Sequence, residues 1–163
     1  PNCNMTTYRS SFHSFWHDDP TDPGMLERYR RRIDRFNAID ASTTHVLFVR
    51  TIPTTDELAD APALLGELMR RHGKHACLLL IIDFQFTAKG AAIVEGHENL
   101  LVFYLSGDHH VAEDGITPAP PYTKPVACAL DWMSGKAIQA MNFKDMDAIL
   151  ACADETHWGL EGL

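Results

Sequence analysis

Residues 12–20 read FHSFWHDDP. His13 and His17 lie four apart, and Asp18, Asp19 and Pro20 follow at once. Three kinds of chemistry suit these residue types. On a helix the two imidazoles would share one face and could ligate a metal together. An imidazole oriented by a carboxylate is the base of nucleophilic catalysis, which would give His17 and Asp18 catalytic roles. Acids ahead of a proline also make the polar turn that precedes a helix. The spacing disfavours the metal. A helical H-E-x-x-H site carries its general-base Glu directly after the first histidine, and Ser14 stands there. Ser, Phe, Trp and Asp are weak helix formers, and Pro20 follows.

A second cluster, SGDHH, lies at 106–110. His109 there can act as a base or a ligand, with Asp108 as its orienter or as a substrate contact. Ser106 is a candidate substrate contact, and His110 a metal ligand alongside His13. The same residues also make a polar turn after a strand. A site drawing on residues 13–18 and 108–110 would take zinc or another divalent cation. No other cofactor is expected.

These residues need elements to hold them. TDPG at 21–24 opens a helix, with Asp22 as cap and Pro23 in the first turn. Met25, Leu26, Tyr29, Ile33 and Phe36 then recur at helical spacing. HVLFVR at 45–50 is a short apolar strand. TTDE at 54–57 has the capping-box pattern, Thr54 with Glu57. The helix it opens is interrupted at Pro62 and ends at Gly73. CLLLIIDF at 77–84 and LLVFYLS at 100–106 are further strands, and AAIVE at 91–95 joins the latter through the turn GHEN. Strand, helix, strand in that order implies a right-handed parallel crossover. ITPAPPYTKP at 116–125 reads as loop, and helical pattern returns at 132–141 and 146–152.

The expected fold is α/β: a small, mostly parallel sheet of three to four strands with flanking helices, one domain over 1–163. Such sheets bind ligands beyond the carboxyl ends of their strands. Those ends carry Arg50, Asp83 and Ser106, the expected substrate contacts. An ion pair between Arg50 and Asp83 is the structural alternative.

The chain has 163 residues, 45% hydrophobic and 22% charged, enough for one buried core. Its net charge of -8 argues against a general nucleic-acid binder. The basic run RYRRRIDR at 28–35 is interleaved with Glu27 and Asp34, as on a solvated helix face. No apolar run approaches the ~20 residues of a membrane span. PNCNMTTYRS lacks the pattern of a signal peptide, so reduced thiols and a cytoplasmic location are expected. The cysteines at 3, 77, 128 and 152 include no C-x-x-C, which disfavours a Cys-rich zinc module. Cys77 and Cys152 read as buried. The expected partner is a small-molecule or peptide substrate, not nucleic acid or membrane, and a homodimer is left open.

The order of these pieces resembles a bacterial family of uncharacterised proteins catalogued as papain-like cysteine peptidases. Residues 15–20 fit its F-x-H-[HD]-[DN]-P motif. ERYRRRIDRF fits its helix ending R-x-x-R-F, and HVLFVRT and CLLLII fit its next two strands. The resemblance covers about residues 12–105. It implies a thiol hydrolase or acyltransferase, in which a thiolate attacks an acyl carbon and a histidine carries the proton. His17 holds the motif's histidine position and is the base so implied, with Asp18 or Asp19 as orienter. Cys3 and Cys128 are the candidate thiols. The family's cysteine precedes a P-F-D-W motif that is not recognisable near Cys3. Leu130-Asp131-Trp132, beside Cys128, is similar to F-D-W, which would make the chain permuted or part of a longer parent fold. The alternatives are a metal-dependent hydrolase and a non-catalytic binding or assembly domain.

Overall fold

The structure, a computed structural model, describes residues 8–9, 14–15, 19, 21–52, 56–86, 89–106 and 122–153. The chain divides into two units, residues 1–39 and 40–163. In the first, β1 (Tyr8–Arg9) and β2 (Ser14–Phe15) pair antiparallel, with Tyr8 opposite Phe15 and Arg9 opposite Ser14. Helix α1 spans Pro23–Asn37. The Asp22 carboxylate accepts from the amides of Gly24 at 3.0 Å and Met25 at 3.1 Å. It thus satisfies two of the donors a helix start leaves open. Pro23 sits in the first turn, where no amide is needed. Asp19 caps the turn before it, accepting from the Thr21 amide at 2.8 Å and hydroxyl at 2.7 Å.

The second unit runs β3 (Val46–Ile52), a 3-10 turn (Asp56–Asp60), α2 (Ala61–His72), β4 (Ala76–Gln85), β5 (Gly90–Val94) and β6 (Leu100–Ser106). Then follow α3 (Thr123–Met133), β7 (Ala140–Phe143) and α4 (Met146–Cys152). The fold is α/β. The strands order β3-β4-β6-β5-β7, five rather than three to four. β3, β4 and β6 are parallel, β5 is antiparallel to β6, and β7 is parallel to β5. The added strand is AMNF, whose first two residues fall in a stretch with helical spacing. The helix stops earlier, where the Ser134 amide donates to the Leu130 carbonyl and Gly135 takes φ 77°. Four residues without a β-branched side chain carry no period-2 signal, so only the pairing with β5 makes them a strand.

β4 supplies both cores. Ala76, Leu78, Leu80 and Ile82 pack with Leu58, Leu65, Leu68 and Ile149 on the side of α2 and α4. Leu79 and Ile81 pack with Leu101, Phe103 and Ala129 on the side of α3. A parallel strand covered on both faces needs this continuous apolar run. Each fully buried Leu or Ile contributes about 1.5–3 kcal/mol before entropy is subtracted. The buried Tyr104 hydroxyl donates to the Ile149 carbonyl at 2.8 Å, which anchors α4. Pro62 lies in the first turn of α2, so the interruption expected there is a helix start preceded by the 3-10 turn. No helix among the described residues is long and apolar enough to cross a membrane.

Gly73 ends α2 at φ 125°, and a Cβ there would lie 2.5 Å from the Ser42 amide nitrogen. Backbone cannot yield as a flexible side chain can. Gly96, at φ 78°, has nothing within 4 Å of the same position. Gly73→Ala should therefore cost about 2 kcal/mol or more in urea unfolding, and Gly96→Ala about 1 kcal/mol. Equal costs would contradict the close approach.

Candidate active site

The parallel strands β3, β4 and β6 bring their carboxyl ends to one edge of the sheet, where open α/β sheets bind ligands. Asp83, Gln85 and Ser106 are buried there. β4 carries a bulge at this edge: Ile82 pairs with Tyr104 but Gln85 pairs with Ser106. Phe84 absorbs the extra residue at φ 57°. For a bulky L-residue that conformation costs about 1–2 kcal/mol.

Asp83 has a defined partner. The Tyr122 hydroxyl, just before α3, donates to its carboxylate at 2.8 Å, and Thr51 at the end of β3 bonds the same hydroxyl. Three elements thus meet on one phenol oxygen. Burial pushes the Tyr122 phenol up, and the Asp83 carboxylate adds to this, while Thr51 opposes it. A raised folded-state value means the contribution to stability is present below the phenol's unfolded value. It is lost as pH rises through the folded one.

The expected Arg50–Asp83 ion pair does not form. Register places Arg50 opposite Leu80 and Thr51 opposite Ile81. Alternation then puts Arg50 on the α2 face and Thr51 with Asp83 on the α3 face. Arg50 pairs instead with Glu57, the acid of the expected capping box. Both side chains are about two-fifths exposed, so the pair contributes at most about 1 kcal/mol. Ser106 lies opposite Gln85 at the bulge. Of the four expected substrate contacts, Asp83 belongs to the Thr51–Tyr122 cluster, Arg50 takes the other face, and Asp108 lies outside the described residues. Tyr122 itself was missed. Its one sequence signal is its place between the proline-rich stretch and the helix start TKP.

Cys128 lies on α3 and lines a cavity of about 650 Å³ with Lys89, Lys124 and Asp131. Burial pushes its thiol up first and Asp131 adds to this, while Lys124 pulls it down. Burial pushes the Cys77 thiol up as well. Neither is prepared as a thiolate near neutral pH. Cys152 is half-buried at the end of α4. Cys3, His13, His17, Asp18, Asp108, His109, His110 and the expected cap Thr54 lie outside the described residues. Among the described residues no three of His, Cys, Asp and Glu gather closely enough to hold a metal ion.

Residues 1–85, just over half of the chain, match the family described as "Putative papain-like cysteine peptidase (DUF1796)". The chain belongs to this family. In this papain-like family member the matched stretch contains FHSFWHDDP, Arg50 and Asp83 and ends with β4. Cys128 and SGDHH lie beyond it. Comparison with curated proteins and with solved structures finds no match.

Tyr122→Phe should cost roughly 1–3 kcal/mol in urea unfolding, because it removes a donor from a buried carboxylate. A cost near zero would mean that the phenol does not tie α3 to β4. Asp131→Asn should lower the pH at which Cys128 becomes reactive to iodoacetamide, since it removes a charge that holds the thiol protonated. An unchanged pH profile would contradict that coupling.

Proposed function

We propose that the chain carries the thiol chemistry of a hydrolase or acyltransferase, with Cys3 as nucleophile and His17 as its base. The observation that carries this reading is the family match, since residues 1–85 hold Cys3 and His17 and leave Cys128 outside. The raised thiols of Cys77 and Cys128 count against those two as nucleophiles.

Asp19 is taken up by the turn. Its hydrogen bonds from the Thr21 side chain first, and then from its amide, hold the carboxyl below its usual range. Asp18 is therefore the acid assigned to orient His17. The Cys3 thiol gives its proton to His17, and Sγ forms a bond to the acyl carbon of a peptide or small acyl substrate. The bond from that carbon to the leaving amine or alcohol breaks, and the leaving group takes the proton from His17. Water, or a second acceptor in acyl transfer, then loses a proton to His17 and cleaves the thioester.

Iodoacetamide labelling near neutral pH, mapped by mass spectrometry, tests the pair. Cys3 should react roughly tenfold faster than Cys128, because rate follows the thiolate fraction, tempered by the lower nucleophilicity of an acidic thiol. His17→Gln should remove that advantage. Equal rates for the two thiols, or a fast Cys3 that ignores His17→Gln, would contradict the assignment.

A further inference from the structure

The five-stranded sheet has two edges, β3 and β7. An edge strand presents a row of backbone amides and carbonyls that another chain can extend. Proteins blunt such edges with short strands, prolines, bulges or charge. β7 is blunted by its length of four residues, and Lys144 and Asp145 follow it. β3 is not blunted. Its seven residues, VLFVRTI, include no glycine, proline, lysine or acid, and its register against β4 is continuous. No strand lies beyond it among the described residues.

The pairing with β4 decides which groups β3 presents. The Val46 amide donates to the His75 carbonyl at 3.1 Å, so Val46 points inward. Alternation then turns the backbone amides and carbonyls of Leu47, Val49 and Thr51 outward. Val49, at the middle of the strand, is 48% exposed. Val46, Leu47 and Phe48 are half-buried.

The strand complements itself. An antiparallel pair of two copies with its two-fold axis at Val49 pairs every residue of β3. Val49 lies opposite Val49 of the second copy, Leu47 opposite Thr51, and Val46 opposite Ile52. Arg50, the one charge of the strand, lies opposite Phe48, and Glu57 of its own chain already balances it. No like charges face each other. Moving the axis one residue, to Arg50, would set two guanidinium groups directly opposite, which is unfavourable. Charge and length therefore select the same register.

We propose that β3 pairs antiparallel with β3 of a second copy and joins the two sheets into one. The outward groups of Leu47, Val49 and Thr51 then exchange about six backbone hydrogen bonds across the seam.

Analytical ultracentrifugation of the full chain tests this at about 100 µM, where a pairing as weak as ~10 µM is mostly dimer. The mass should be twice that of the chain. Val49→Lys sets like charges opposite each other on the axis and should weaken association roughly tenfold or more. Val49→Thr keeps a β-branched side chain and should retain the dimer. Val49→Cys reads the seam directly. Opposed Cα atoms of a hydrogen-bonded antiparallel pair stand about 5.5 Å apart, within disulfide reach. Mild oxidation should therefore give a peptide cross-linked through position 49 of both copies, located by mass spectrometry. A monomer at that concentration, a dimer that Val49→Lys leaves intact, or no cross-link through position 49 would each overturn the proposal. These readouts require neither Cys3 nor His17, so failure of the thiol assignment leaves them untouched.

Discussion

The second unit depends on β4 being buried on both faces. Leu78, Leu80 and Ile82 close one core while Leu79 and Ile81 close the other. Because a strand's side chains alternate, its register against β3 and β6 decides which polar groups can meet at the far edge. That register puts Thr51 and Asp83 on one face with Tyr122, and Arg50 on the other with Glu57. A shift of one residue would bury the Arg50 charge under α3 and turn Asp83 away from its phenol. The polar edge follows from apolar packing several residues away.

Much of the scaffold was readable from the chain, for reasons particular to each piece. CLLLIIDF and LLVFYLS are continuous apolar runs of strand length, and only strands buried on both sides suit them. TDPG names its own cap, and Asp22 acts as one. Gly73 was legible because its backbone enters a region that other residues avoid. β7 was not legible, since AMNF becomes a strand only by lying beside β5. The partner of Glu57 was not legible for a related reason: a capping box is a local pattern, and it says nothing of the neighbouring strand whose Arg50 donates to this carboxylate.

The polar residues at the sheet edge were legible as a set but not as pairs. Sequence places Arg50 and Asp83 at the ends of two strands. It does not say which face each one takes until register is known. Tyr122 was invisible because its role is set by where a proline-rich connection returns to the sheet. Thr51, one residue beyond Arg50, was passed over for the stronger charge, yet it is the one that reaches the phenol.

FHSFWHDDP separates into parts with different physical roles. Phe15 ends the short ladder, Asp19 closes a turn on Thr21, and Asp22 beyond it starts α1. These assignments leave His17 and Asp18 for the chemistry proposed from the family match. The most direct test of that account is to trap the acyl intermediate. The protein would be quenched in acid during turnover of an activated acyl ester, and the modified residue located by mass spectrometry. The account predicts the acyl group on Cys3, in an adduct that water then clears. An acyl group on Cys128, or no adduct on any cysteine, would contradict it.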